Sequence, residues 1–90
     1  MERIVEFSQR AKLDIDYFPT SGQSDVLKKI RRIVAELPVS PYGGLGKPEP
    51  LKYGLSGLWS RRITYEHRLV YEADDDVITV LSAKGHSNNP

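Results

Sequence analysis

The sequence predicts an α+β domain in which two N-terminal helices pack on one face of an antiparallel sheet, in the order β-α-α-β-β-β. Apolar residues recur at helical spacing between residues 11 and 37. Three runs rich in β-branched and aromatic residues follow within residues 58–83. In so short a chain, this order places both helices on one face of the sheet, and the other face is then left free.

The N-terminal half of the chain reads as one strand followed by two helices. We expect a strand over residues 3–7, a first helix with Ser8 as its N-cap, and an end to that helix at Pro19. The apolar positions of this helix are Ala11, Ile15 and Phe18. Thr20 and Gln23 have the spacing of a capping box for a longer second helix. The apolar face of the second helix consists of Val26, Leu27, Ile30, Ile33, Val34 and Leu37.

Residues 38–57 contain four prolines and five glycines, so neither a helix nor a long strand is expected there. A structured loop of this length is unusual in a compact domain and is generally functional. Beyond the loop we expect three strands, over residues 58–64, 68–73 and 77–83, with the acidic turn Asp74–Asp76 joining the last two. An antiparallel meander accounts for this pattern.

Length and composition exclude several classes of protein. The 90 residues leave room for one small domain, which we expect to occupy residues 1–90. No apolar run approaches the roughly 20 residues of a membrane span, and the first residues include no signal-peptide core, so we expect a cytoplasmic protein that does not enter a membrane. Without cysteines, and with two histidines only, the chain predicts neither a metal site nor a cofactor.

The charges are nearly balanced but unevenly distributed. A formal net charge of +1 argues against a free-standing nucleic-acid binder that relies on bulk electrostatics. Residues 44–68 nevertheless contain five basic residues against two acidic ones, whereas residues 72–76 contain four carboxylates. The five basic residues are Lys47, Lys52, Arg61, Arg62 and Arg68. We therefore predict a basic patch and, separately, an acidic hairpin tip.

The glycine-rich segment 43–49 resembles a phosphate-binding loop only superficially. Pro41 and Pro48 stand where that motif requires a glycine and a hydroxyl residue. The polar residues that remain as candidates for chemistry are Glu49, Lys52, Arg62, Arg68 and His86. Glutamate, arginine and histidine can supply the base, the cation and the acid for RNA cleavage by the ribose 2′-hydroxyl. Composition alone permits this reaction without establishing it.

Three segments carry a resemblance to a known family: GKPEPLK over residues 46–52, LSGLWSRRIT over 55–64 and EHRLVY over 66–71. They resemble the YoeB (Txe) family of bacterial toxins in the RelE-like superfamily, and the similarity continues collinearly over the helices and at His86. The resemblance implies a RelE-like, microbial-ribonuclease-like fold whose sheet is the active face. It also implies a metal-independent mRNA endonuclease that depends on the ribosome, cuts in the A site and inhibits translation. A YefM-type antitoxin would neutralise it, and a homodimer is compatible with the family.

The resemblance also implies a role for each candidate residue. Glu49 falls on the family's general base, Arg68 on its transition-state arginine and His86 on its general acid. Lys52 and Arg62 fall on basic positions that would hold the backbone of the message. His67, near a hairpin bend, is expected to be structural.

One position departs from the family pattern. The family typically ends in His-Tyr, whereas Ser87 follows His86 in this chain. Two hypotheses therefore remain. In the first, the chain cleaves mRNA in the ribosomal A site. In the second, the same surface binds the ribosome or an antitoxin without cutting, because the aromatic partner of His86 is missing.

Overall fold

The structure is a computed structural model that describes residues 2–51 and 57–85. Within these residues the chain forms two helices and five strands, in the order β-α-α-β-β-β-β. The elements are β1 (Ile4–Phe7), α1 (Gln9–Thr20), α2 (Ser24–Glu36), β2 (Glu49–Pro50), β3 (Leu58–Arg62), β4 (Arg68–Ala73) and β5 (Val77–Ser82). The predicted α+β class and the positions of the two helices are confirmed. None of the described helices is long and apolar enough to cross a membrane.

The five strands form one mixed sheet with the spatial order β1-β5-β4-β3-β2. Strands β3 to β5 pair antiparallel, as predicted for the meander, and β2 pairs antiparallel with β3. Strand β1 runs parallel to β5, with Ile4 opposite Val77. The sequence prediction had every pair antiparallel. The parallel pair is possible because β1 and β5 are joined by both helices and the other strands rather than by a hairpin.

Strand β2 is an addition to the predicted order of elements. Glu49 and Pro50 pair with Ser60 and Trp59 at the edge of the sheet, inside the segment predicted as a loop. Proline donates no ladder hydrogen bond and is therefore confined to edge strands, which is consistent with the short length of β2. This pairing fixes Glu49 to the sheet.

The caps of the two helices differ in how well the sequence predicted them. The Ser8 hydroxyl accepts a hydrogen bond from the Ala11 N–H at 3.1 Å, so the predicted N-cap is confirmed. The predicted capping box is wrong. Thr20 is the last residue of α1, where its hydroxyl donates to the Tyr17 carbonyl at 2.8 Å, and Gln23 precedes α2 without a side-chain cap. Because the Thr20 hydroxyl is bound at the end of α1, it does not cap α2.

The core lies between the helices and one face of the sheet. Val26, Ile30, Ile33 and Leu37 of the predicted apolar face of α2 are buried, and Leu27 and Val34 are partly buried, which confirms that prediction. The strands and α1 contribute further buried apolar side chains, among them Phe18, Leu69, Tyr71, Ile78 and Val80.

A fully buried arginine joins this core to the loop that leads to β2. The Arg61 Nε donates to the Tyr71 hydroxyl at 3.1 Å, and Nη1 donates to Glu36 Oε1 at 2.8 Å. The remaining three N–H groups donate to main-chain carbonyls, those of Leu45 at 3.2 Å, Gly43 at 3.0 Å and Ser40. All five donors of the guanidinium are therefore satisfied. Assigning Arg61 to an exposed basic patch was wrong, because strand alternation turns it toward the helices.

The loop passes so close to Arg61 that two of its residues must be glycine. A Cβ on Gly44 would lie 2.3 Å from Glu36 Oε1, and one on Gly46 would lie 2.8 Å from the Arg62 carbonyl oxygen. Both glycines have positive φ angles, 112° and 87°. The Arg62 N–H in turn donates to the Gly46 carbonyl at 2.7 Å. The glycine-rich segment is thus a tight packing element, a role that the sequence did not predict.

Replacing Arg61 tests how much stability this network contributes. We expect Arg61→Met to lower the free energy of unfolding by about 3 to 5 kcal/mol, because a buried hydroxyl and several buried carbonyls lose their donor. Arg62→Met, on the same strand but exposed, should change it by about 0.5 kcal/mol or less. Urea unfolding of both variants measures the difference. Equal losses in the two variants would contradict the role given to Arg61.

The ion pair of Glu36 with Arg61 predicts a pH-dependent stability. A hydrogen bond from the Leu45 N–H and then the contact with Arg61 hold the pKa of Glu36 below its ordinary value of 4.5. A lowered folded-state pKa stabilises the fold above pH 4.5, and this contribution disappears as the pH falls through the lower value. Parent protein should therefore lose more stability than Glu36→Gln between pH 7 and about pH 3. The midpoints of urea unfolding of both proteins at the two pH values measure these losses. Identical losses of stability in the parent and in Glu36→Gln would refute the prediction.

Candidate active site

Four polar residues share the face of the sheet that is turned away from the helices. Glu49 of β2 lies opposite Ser60 of β3, and Arg62 of β3 lies opposite Arg68 of β4. Directly paired residues point to the same face, as do residues two apart on one strand. The pairing of three strands therefore brings Glu49, Ser60, Arg62 and Arg68 together, although 19 positions separate the first from the last in the sequence.

Glu49 and Arg68 form an ion pair at the centre of this group. Arg68 Nη1 lies 3.1 Å from Glu49 Oε1 and 3.4 Å from the Ser60 hydroxyl. The carboxylate is the more open partner, with 60% of its side chain exposed against 20% for Arg68. Ser60 is buried beneath them at 1% exposure. A mostly covered cation and an accessible carboxylate thus lie within hydrogen-bonding distance of each other.

Arg68 retains donors that a substrate could use. Its two hydrogen bonds to side chains use Nη1, and within residues 2–51 and 57–85 neither Nε nor Nη2 donates to another group. Arg61 differs in this respect, since its five donors are all engaged by the protein. Guanidinium groups bind phosphate oxygens through paired N–H donors. The geometry therefore suits Arg68 for binding an anion and Arg61 for holding the fold.

Arg62 adds a second cation beside Arg68. Its side chain is exposed and makes no hydrogen bond to any residue that the structure describes. Like charges directly opposite each other on paired strands repel, and an anion between them relieves that repulsion. With Glu49 as the carboxylate paired to Arg68, the three side chains carry a local net charge of +1. This face favours a phosphate-containing ligand.

Two of the predicted site residues, Lys52 and His86, lie outside the described residues. The structure does describe Gly85, the residue before His86 in the chain. Its carbonyl accepts a hydrogen bond from the Arg68 main-chain N–H at 3.1 Å. Gly85 therefore lies against the first residue of β4, Arg68, which is the predicted catalytic arginine.

Ser60 and Gly85 are the contributors that sequence reasoning missed. Ser60 could have been found from strand alternation, since it lies two residues before Arg62 on the same strand. Nothing in the sequence pairs Gly85 with the start of β4, because that contact depends on the tertiary fold. The described residues contain no cluster of three or more histidine, aspartate or glutamate side chains arranged to hold a metal ion.

Comparison with known proteins identifies the family. Residues 7–87 match the model of the YoeB-like toxin of bacterial type II toxin-antitoxin systems. The toxin RelK of Mycobacterium tuberculosis is 54% identical over 84 residues, which cover 93% of this chain and 98% of RelK.

Solved structures agree with this match. The YoeB dimer from Staphylococcus aureus is 39% identical, with a TM-score of 0.83 over 96% of this chain and 99% of that one. The YoeB-YefM complex from the same organism has a TM-score of 0.79 at the same identity and coverage. The likeness of the whole fold confirms the fold class that the resemblance implied. Both the sequence match and the structural match extend over most of the chain, and this chain belongs to the YoeB-like toxins of bacterial type II toxin-antitoxin systems.

Proposed function

We propose that this toxin is a metal-independent endoribonuclease that cleaves mRNA in the ribosomal A site and thereby inhibits translation. The observation that carries the proposal is the pairing of Glu49 with Arg68 on an exposed, basic face of the sheet, with donors of Arg68 left over. Membership of the toxin family supports the same reading.

In this proposal Glu49 takes the proton of the ribose 2′-hydroxyl, and the resulting oxyanion attacks the adjacent phosphorus. Arg68 stabilises the extra negative charge on the non-bridging oxygens of the phosphorane. His86 donates a proton to the departing 5′-oxygen. The phosphorus–5′-oxygen bond breaks, and the products are a 2′,3′-cyclic phosphate and a 5′-hydroxyl.

The resting ion pair suggests how substrate would activate the base. In the resting pair, Glu49 Oε1 is occupied by Arg68 Nη1. A phosphate that enters between Arg62 and Arg68 competes with Glu49 for the Arg68 donors. The carboxylate released in this way becomes available to the 2′-hydroxyl. Lys52 and Arg62 would hold the message backbone on either side.

Substrate delivery by the ribosome fits the small net charge of the chain. Proteins that find RNA unaided generally rely on many basic contacts and bind less tightly as salt increases. A net charge of +1 supplies little such attraction. A toxin to which the ribosome presents the message does not need it.

The three proposed roles predict three defective variants. Glu49→Gln and His86→Ala should each lower the single-turnover rate of cleavage of ribosome-bound mRNA by about 10² to 10⁴-fold. Arg68→Ala should lower it by about 10² to 10³-fold, as expected for loss of a transition-state donor. The parent reaction should continue in EDTA at concentrations that leave the ribosome intact. Its products should end in 2′,3′-cyclic phosphates.

Matched controls separate these effects from a general loss of charge. Glu6→Gln removes a carboxylate from β1, at the opposite edge of the sheet, and Arg31→Ala removes an exposed guanidinium from α2. Both should cut at the parent rate. If a folded, ribosome-bound variant of Glu49, Arg68 or His86 also cuts at that rate, the residue has no catalytic role. A parent protein that binds ribosomes but never cuts favours the non-cleaving alternative.

We also propose that a YefM-type antitoxin neutralises this toxin by covering the same face. Support comes from the YoeB-YefM complex of Staphylococcus aureus, whose toxin is 39% identical to this chain. A disordered acidic segment that orders on binding can cover the surface from Glu49 to Arg68 and pair with its exposed guanidinium groups. A homodimer, as named for the same relative, is proposed here as well.

Charge reversal tests this mode of neutralisation. Arg62→Glu should weaken binding of the cognate antitoxin by about 10-fold or more at low salt, because attraction at that position becomes repulsion. Arg31→Glu, on the helical face, should leave the affinity unchanged. Isothermal titration at two salt concentrations measures both variants. Equal affinities for Arg62→Glu and the parent would place the antitoxin elsewhere.

A further inference from the structure

His67 is a buried histidine whose ring contacts the backbone of the C-terminal segment. It is 8% exposed and packs edge-on against Phe18, with ring centroids 5.0 Å apart. Its Nδ1 accepts a hydrogen bond from the Gly85 N–H at 2.8 Å. A nitrogen that accepts carries no proton, so the structure requires a neutral imidazole with its hydrogen on Nε2.

The same glycine is held from a second direction. The main-chain N–H of Arg68, the next residue after His67, donates to the Gly85 carbonyl at 3.1 Å. Two adjacent residues at the start of β4 therefore bind both polar groups of one peptide residue. The Gly85 carbonyl belongs to the peptide bond that joins Gly85 to His86, so its orientation limits how the chain continues.

Helix α1 secures the residues just before this point. The buried Asp14 carboxylate accepts a hydrogen bond from the Ala83 N–H at 3.0 Å and is itself held by Arg10 at 2.9 Å. The Lys84 ammonium lies 3.8 Å from the centre of the Tyr17 ring. Residues 83 to 85 are thus held by α1 on one side and by His67 and Arg68 on the other. We call this set of contacts the C-terminal clamp.

We propose that His67 is a positioning residue for the reaction: through Gly85 it sets the position of the C-terminal segment, and thus of His86, relative to Arg68. The inference rests on the proposed function, in which His86 is the general acid. A buried histidine that only filled space would need no bond to this particular residue. Here the bond joins Gly85, which precedes the proposed acid His86, to His67, which precedes the proposed cation Arg68.

Gly85 itself fits this role. Its φ angle is 82°, in the left-handed region that glycine adopts readily, and a Cβ at this position would meet no atom of the described residues within 4 Å. A substitution would therefore strain the backbone of the C-terminal clamp without a steric clash. A substitution at Gly85 can therefore change the path of the backbone without changing side-chain packing.

Two replacements of His67 distinguish positioning from packing. His67→Leu keeps an apolar side chain against Phe18 but removes the acceptor, whereas His67→Asn places a carbonyl oxygen near the position of Nδ1. We expect His67→Leu to lower the single-turnover rate by about 10 to 100-fold, since a group displaced by about 1 Å can lose on the order of 10² in rate. The ribosome concentration at half-maximal rate should change less than about twofold. His67→Asn should recover most of the rate.

Gly85→Ala provides a second variant in case changes at His67 impair folding. It should lower the rate in the same way, with little change in the thermal unfolding midpoint. Parent protein should show a His67 ¹⁵N spectrum of the Nε2–H tautomer and slow hydrogen exchange at the Gly85 amide. That exchange should become about 10-fold faster or more in His67→Leu.

The outcomes separate this inference from the proposed function. If the parent cuts mRNA and folded His67→Leu cuts at the parent rate, or if His67→Asn is as slow as His67→Leu, the positioning role is overturned and the proposed function stands. If the parent leaves ribosome-bound mRNA intact while the Gly85 amide is protected, the proposed function fails, and the positioning role fails with it.

Discussion

The buried guanidinium of Arg61 is the constraint on which the architecture of this toxin depends. It binds α2 through Glu36, β4 through the Tyr71 hydroxyl, and the loop before β2 through three carbonyls. Burial raises the pKa of Tyr71, and its protonated hydroxyl donates to the Pro41 carbonyl at 2.6 Å. A loop rich in glycine and proline, which cannot form its own regular hydrogen bonds, thereby acquires one conformation. Strand β2 and Glu49 begin where that loop ends.

Three arginines of this sheet illustrate how surroundings decide what one residue type does. Arg61 has every donor engaged, Arg62 is exposed without a described partner, and Arg68 is mostly covered, with Nε and Nη2 unused by the part of the chain that the structure describes. The ion pair of Arg68 with the exposed Glu49 adds only about 0 to 1 kcal/mol to folding, as is typical of surface pairs. The pair therefore contributes little to stability, which is consistent with the binding and catalytic role proposed for it.

The candidate active site is assembled from elements that are distant in sequence and individually weak. A two-residue edge strand supplies Glu49, the bend before β4 supplies His67, and the first residue of β4 is Arg68. The C-terminal clamp then brings Gly85 to the same place through main-chain hydrogen bonds. Such bonds tolerate little displacement, because they require both distance and direction. Small shifts in the sheet edge or at Gly85 would accordingly change how Glu49 and Arg68, the proposed base and cation, lie relative to residue 85.

Local pattern by itself determined the helices, the meander and the family of this protein. The apolar spacing of α2, the Ser8 cap and the β-branched and aromatic content of β4 and β5 depend on neighbouring residues, and the motifs around Glu49 and Arg68 are contiguous. Two predictions failed where another partner was available. The Thr20 hydroxyl donates to the Tyr17 carbonyl at the end of α1 and so does not cap α2. Residues 49–50 form a strand because β3 provides a pairing partner.

The tertiary structure alone decided which polar side chains are buried, paired or available. Arg61 and Arg62 are adjacent and chemically identical, so no sequence pattern states that one is enclosed by Glu36, Tyr71 and loop carbonyls while the other faces solvent. His67 likewise acquires its partner only when the chain end returns to β4. Hydrogen bonds act over about 3 Å, and which groups come within that distance is settled by the packing of strands and helices rather than by their order.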